Sequence, residues 1–258
     1  MKRGTPSIVS LIRAMDMLEA IIQDEGRSSL SAIARKIQIP TATAHRQVKS
    51  LQKAGFLTSI RNGKYVIGPR MIKCIKSLTL IDVIKMVAIP ILSELAGKLD
   101  CIVHLGTLDD DMITYLVKEG SNSDGLFTKR GMQLEAYCSA MGKVLLADLP
   151  EKNRELYISS GPFPALTEKT ITSGEDLRAQ LRTVRSQGYA IDDGEIVGDL
   201  RCIAVGIRLP GEPACAAISV SRTSSASLTD HEISTALNKL RISADLILDL
   251  VSQYTCPS

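Results

Sequence analysis

The stretch Ile39-Pro40-Thr41-Ala42-Thr43-Ala44-His45-Arg46-Gln47-Val48-Lys49-Ser50-Leu51-Gln52-Lys53-Ala54-Gly55 decides how this chain folds at its N-terminal end. Proline is tolerated in a first helical turn and glycine stops helices, so a helix is expected from Pro40 to about Ala54. At about 100° per residue, with Ala44 at zero, Val48 falls near 40° and Leu51 near −20°. These three make a narrow buried stripe. Ala42, Arg46, Lys49 and Lys53 fall between about 140° and 200°, on the opposite side. His45 lies on the flank, and Thr41 and Thr43 sit at the helix start. Three cations on one face, with small and hydroxyl residues at the tip, suit a helix that reads nucleic acid. Small residues allow approach to base edges, Thr bonds phosphate or base, and Arg reads guanine through two hydrogen bonds. The plainer alternative is an ordinary solvated face, but such faces usually carry interspersed Glu.

Upstream, residues 29–37 form a short helix with Ser29 as cap and Ile33 and Ile37 facing the core. Before it, residues 7–25 place Ile8, Leu11, Ile12, Met15, Leu18, Ile21 and Ile22 at helical spacing, and Gly26 ends the run. Downstream, two short apolar runs at 56–58 and 65–67 flank Arg61-Asn62-Gly63-Lys64, a strong hairpin signal. Helix, helix, turn, helix, hairpin is a winged helix-turn-helix. The expected DNA contacts are Thr41, Ala42, Thr43, His45, Arg46 and Lys49 on the helix, with Arg61 and Lys64 on the wing. The same helices could also form a protein-interaction bundle.

The remaining pattern reads as an α+β domain with an antiparallel sheet. A helical stretch over 71–84 serves as connector, and another helix follows over 87–99 around Pro90. Strands are expected at 101–107 and 112–117, joined by Asp109-Asp110-Asp111, and at 202–209 and 214–221. Helices are expected at 139–149, 151–159, 174–187 and 230–251. The division is a DNA-binding domain over 1–68, a linker helix over 69–84 and an α+β domain over 85–258.

Composition agrees. The 258 residues are 45% hydrophobic and 23% charged, enough to bury ordinary cores. No apolar run approaches the ~20 residues that span a bilayer. The basic start lacks the apolar segment of a signal peptide, so a cytoplasmic protein with no membrane partner is expected. Net charge is +3, unevenly spread. Residues 1–70 carry 12 Lys/Arg against 4 Asp/Glu, and the rest carry 19 against 24. A basic head on an acidic body points to a polyanionic partner for the head. The six cysteines are scattered, with no Cys-x-x-Cys, and most read as small buried apolar residues.

Enzyme readings fare poorly. Gly142-Lys143 fails as a phosphate loop, because Tyr137 and Val144 stand where Gly and Ser/Thr are needed. Cys101-x-x-His104 would point its two side chains to opposite faces of a strand, so no metal is expected. Asp192-Asp193-x-Glu195 has no accompanying nucleophile and base, so neither catalysis nor a cofactor is expected. A metabolic enzyme with a fused helical interaction domain is the rival class.

Several motifs together resemble the IclR family of bacterial transcription regulators. They are Leu30-Ser31-Ala32-Ile33-Ala34, residues 39–46, Leu51-Gln52-Lys53-Ala54-Gly55-Phe56 and residues 63–69, then residues 137–147, 188–195 and 201–205. The resemblance implies a GAF-like (profilin-like) α/β sensor domain that binds a small carboxylate metabolite, such as a sugar acid or an organic or aromatic acid. It also implies a repressor acting as a homodimer or dimer of dimers on palindromic operator DNA. By position, Ser139, Ala140 and Met141 would supply an effector-binding loop, with Asp192 and Cys202 on the opposite wall. Ser219 and Ser221, two apart on a strand, share a face and would complete the polar ring. Independently, a helix starting near Ser139 favours an anion at its N-terminus. Three positions depart from the family: Ala32 where Glu is common, Ala42 where Ser is common, and Met141 where a small residue is usual. The last predicts a smaller or reshaped pocket.

Overall fold

The computed structural model describes residues 7–76, 78–120 and 126–255. The chain divides into two compact units, Met1–Thr79 and Leu80–Ser258.

The first unit contains α1 (Val9–Asp24), α2 (Leu30–Lys36), α3 (Thr41–Lys53), an antiparallel pair β1 (Leu57–Ile60) and β2 (Lys64–Ile67), and α4 (Pro69–Lys76). The Ser29 hydroxyl caps α2, accepting from the Ala32 N–H at 3.4 Å. The stripe Ala44, Val48 and Leu51 is buried against Met17, Leu18, Ile21, Leu30, Ile33 and Leu57. The wing turns at Asn62 and Gly63, both at positive φ, which these two residue types adopt most readily. Gly68 is a steric requirement: a Cβ there would lie 2.4 Å from the Gly55 carbonyl oxygen. The backbone bonds Gly68 N–H to Phe56 O and Arg70 N–H to Gly55 O need that close approach.

Two expectations change here. The core face of α1 is Met17, Leu18 and Ile21, while Ile8, Leu11, Ile12 and Met15 are exposed. The apolar residues form two neighbouring stripes, and only the C-terminal one meets this unit's core. The linker helix is α4 alone, ending at Lys76, rather than a helix over 69–84. The next helix, α5 (Leu80–Leu99), starts earlier than 87 and runs through Pro90. Its buried stripe of Ile84, Ala88, Leu92 and Leu95 continues past Pro90, which lies on the exposed side. Packing on both sides of the proline outweighs the one hydrogen bond it removes.

The second unit is built on six antiparallel strands in the order β5-β4-β3-β8-β7-β6. They are β3 (Ile102–Asp109), β4 (Met112–Glu119), β5 (Gln133–Glu135), β6 (Tyr189–Asp193), β7 (Leu200–Arg208) and β8 (Ala214–Thr223). Asp110 and Asp111, both at positive φ, make the tight β3–β4 turn. β5 carries too few residues to show a period. One sheet face packs on α6 (Ala140–Asp148) and, around it, α7 (Glu151–Ser159) and α8 (Gly174–Gln187). The other packs on α5 and α9 (Asp230–Thr255). The sheet is therefore buried on both sides, and β3, β7 and β8 read as nearly continuous apolar runs. Of the five described cysteines, Cys138 and Cys202 are buried, Cys101 and Cys215 half-buried and Cys74 exposed, so burial is less general than expected.

Candidate functional site

The residues singled out from the sequence fall into two groups, one on each unit. On the first unit, Thr41, Ala42, His45, Arg46 and Lys49 are exposed along α3, and Thr43 is half-buried. The buried stripe turns these residues outward. The side chain of Gln52 bonds the Ser59 hydroxyl at 3.3 Å and ties α3 to the wing strand. Arg61 is exposed at the wing tip, whereas Lys64 is half-buried and within electrostatic reach of Asp24. Arg46 and Thr43 also line a groove between α1 and α3, so Arg46 stands at the edge of the cationic face.

The second surface is the sheet face under α6. Cross-strand pairing aligns Asp192, Cys202, Ser221 and Ile102 in one row. The next row is Ala190, Ala204, Ser219, His104 and Lys118. Paired residues share a face, so Asp192, Cys202, Ser219 and Ser221 face the same side, and all four are buried. Ser139, Ala140 and Met141 open α6 above them and are buried too. The Ser139 hydroxyl serves as helix cap, accepting from Gly142 N–H at 3.0 Å. Gly142 admits no side chain, since a Cβ would sit 2.1 Å from the Ala136 carbonyl oxygen. Met141 reaches Gly106 on β3, its Cε only 3.3 Å from where a Cβ would stand.

Electrostatics distinguish this face from a plain core. Asp192 Oδ1 accepts from Gly194 and Glu195 N–H at 3.1 and 2.7 Å, while Oδ2 is buried without a hydrogen-bond partner. Burial pushes the Asp192 carboxyl up to about 6, against the opposing pull of those backbone donors and Lys143. Burial and then Asp192 push the Cys138 thiol up to about 12, and burial holds Cys202 firmly as a thiol. The Lys143 ammonium is buried, donates to Ile191 O at 2.8 Å and pairs closely with Glu195. Burial raises Glu195 despite that partner.

Four participants escape sequence reading. His104 Nε2 lies 3.0 Å from the Thr128 hydroxyl and its Nδ1 3.4 Å from the Ser221 hydroxyl. Burial, then Lys118, lowers it to about 3, so the ring is neutral. Lys118 donates to the Leu126 and Thr128 carbonyls at 2.8 and 2.5 Å, holding that segment over the sheet. The last two are Lys143 and Glu195, which pair with each other. The alternation of Ile102, His104 and Gly106 was the available signal for His104. Cys101 lines a cavity on the opposite face, so Cys101 and His104 do not converge.

Comparison with known proteins gives the same organisation. Residues 75–248 match the family model described as bacterial transcriptional regulator IclR C-terminal, and residues 10–60 match the IclR helix-turn-helix domain. The chain is 29% identical over 222 residues to the HTH-type transcriptional regulator XynR of Escherichia coli, covering 85% of this chain and 88% of that one. It is 27% identical over 222 residues to the transcriptional repressor IclR of the same organism, covering 84% and 81%. The crystal structure of an IclR homologue from Microbacterium hydrocarbonoxydans complexed with 4-hydroxybenzoate superposes with a TM-score of 0.61 at 24% identity, covering 95% of this chain and 99% of that one. Among the described residues, no helix is long and apolar enough to cross a membrane.

Proposed function

The chain belongs to the IclR family of bacterial transcriptional regulators, and from that membership we propose that it is a ligand-controlled repressor whose sensor face takes a small carboxylate. The observation that carries the ligand half is the orphaned Asp192 Oδ2 amid the buried polar side chains of Cys202, Ser219, Ser221 and His104. Buried polar atoms are normally satisfied, so an unpartnered one in a polar row marks a place where a ligand donor belongs. A ligand hydroxyl would donate to Asp192, and its carboxylate would face the start of α6, where the helix dipole favours an anion. The 4-hydroxybenzoate bound by the Microbacterium homologue has both groups.

For the DNA half, α3 enters the major groove with Thr41, Ala42, Thr43, His45, Arg46 and Lys49, and the wing adds Arg61 and Lys64. The exposed stripe of Ile8, Leu11, Ile12 and Met15 suits pairing of two copies on the two halves of a palindrome. Ligand and DNA then act on one another's affinity by the same factor. The protein works in the cytoplasm and catalyses no reaction.

The test is a gel shift on duplex DNA from upstream of the protein's own gene, with and without a panel of hydroxy-carboxylates. Specific retention that one acid alters is the expected result. Retention no tighter than on random duplex at physiological salt overturns the DNA half. Asp192→Ala should keep DNA binding and lose the response to acid; an unchanged response removes the sensor face.

A further inference from the structure

A cavity of about 200 Å³ opens on the opposite face of the sheet, between β7, β8 and the first turns of α9. Ile203, Val220, Leu228 and Ala236 give it apolar walls. Burial pushes the Cys101 thiol in its lining up to about 11, so this side chain also stays uncharged. Cavities of about 150 Å³ with apolar walls accept a benzene ring, so this one holds a ring with a small substituent.

Its charged groups say what the substituent is. Arg201, buried in the lining, is held in place: it forms an ion pair with Asp193, 2.5 Å from its Nε, although Nε makes no hydrogen bond, and one terminal nitrogen donates to the Gly198 and Leu200 carbonyls at 2.8 Å. Arg222 is different. Its side chain is 42% exposed and meets Glu232 at 2.6 Å. A guanidinium has five N–H donors in a planar fork, more than one carboxylate oxygen engages. Glu232 cannot swing to cover the rest, because its other oxygen accepts from the Thr229 N–H and hydroxyl at 2.8 Å each. The start of the 26-residue α9 adds the positive end of its dipole, offset by the carboxylates of Asp230 and Glu232 in its first turn, and His231 lines the same wall. We propose that this cavity is a second small-molecule site for an aromatic monocarboxylate of benzoate size, its ring on Ile203, Val220 and Leu228 and its carboxylate on Arg222.

The site stands back to back with the sensor face. Cys202 shares its row with Asp192 under α6, while its neighbour Arg201 and, on β8, Arg222 line this cavity, because successive residues on a strand alternate; Ser221, between Val220 and Arg222, also borders it. One layer of backbone separates the two.

Titration of the full chain with 4-fluorobenzoate, followed by fluorine NMR, tests the assignment. Wild type should bind in the millimolar range or tighter. Ala236→Phe, which fills the cavity, should weaken binding more than tenfold. Arg222→Ala, on a partly exposed side chain that leaves folding intact, should weaken it about three- to tenfold. Absent binding to wild type, or both cavity variants binding like wild type, overturns the site. Loss of binding in Asp192→Asn alone places the probe on the other face and does the same. 4-Fluorobenzyl alcohol binding as tightly as the acid overturns the carboxylate assignment.

Discussion

Replacing Lys143 by methionine should cost the second unit about 3–5 kcal/mol, the usual penalty for breaking a buried ion pair from one side. Lys143 is 1% exposed and Glu195 10%, so water cannot replace the lost partner. Glu195 Oε2 already lacks a hydrogen-bond partner, and the substitution orphans Oε1 as well. Methionine fills nearly the same length and volume as the lysine stem, so little of the cost is a packing defect. The charge penalty depends on pH. The folded-state carboxyl of Glu195 sits above its ordinary value and rises further without Lys143. A raised carboxyl binds its proton preferentially in the folded state, so stability falls as pH climbs through the folded value. The cost should thus be larger at pH 8 than at pH 6. Lys143→Met combined with Glu195→Gln removes the stranded charge and should recover about 2 kcal/mol or more of it. Urea unfolding followed by tyrosine fluorescence is the assay, because the chain has no tryptophan and Tyr115, Tyr137 and Tyr157 are all buried in this unit. A single-variant cost below about 1 kcal/mol at pH 8, or a double variant no more stable than the single, refutes the reasoning.

Other expectations follow from the same geometry. Asp192→Asn keeps an acceptor for Gly194 and Glu195 N–H and removes a carboxyl held near 6 instead of 3.8. Thermal melts should show the variant gaining up to about 3 kcal/mol on wild type at pH 8 and none of it at pH 4; parallel curves would count against a raised carboxyl. Gly142→Ala should destabilise the second unit severely, because its Cβ would overlap Ala136 backbone, whereas Gly97→Ala in α5 meets open space and should stabilise by up to about 1 kcal/mol. Equal effects of the two in melts would contradict the close approach of α6. Arg46→Ala should weaken binding to specific DNA and lower the salt dependence by about one phosphate contact. An unchanged salt slope in fluorescence anisotropy would move Arg46 off the phosphates.

What the sequence disclosed follows from which interactions are local. The stripe of α3 and the Asn62-Gly63 turn are local signals, and both stand where spacing puts them. The break between α4 and α5 was hidden because the apolar period continues across residues 76–80. Pro90 misled for the reverse reason: it reads as a boundary, but burial on both sides holds α5 together. In α1 the period marks apolar positions without saying which stripe meets this chain's own core. On the sheet face under α6, the alternation of Ser219 and Ser221 gave their shared side correctly. The contacts of His104 with Ser221, 117 residues apart, and of Lys143 with Glu195, 52 apart, depend on topology that no local period encodes.

Met141 against Gly106 has a consequence for how such a sensor diversifies. The side chain that fills this gap is flexible and unbranched, and it stands opposite a residue with no side chain at all. Shortening it to alanine would open space beside Gly106 while leaving Asp192, Ser219 and Ser221 untouched. Under the ligand site proposed above, ligand size and ligand polarity are set by separate residues, so selection, or a biosensor engineer, can change one without the other.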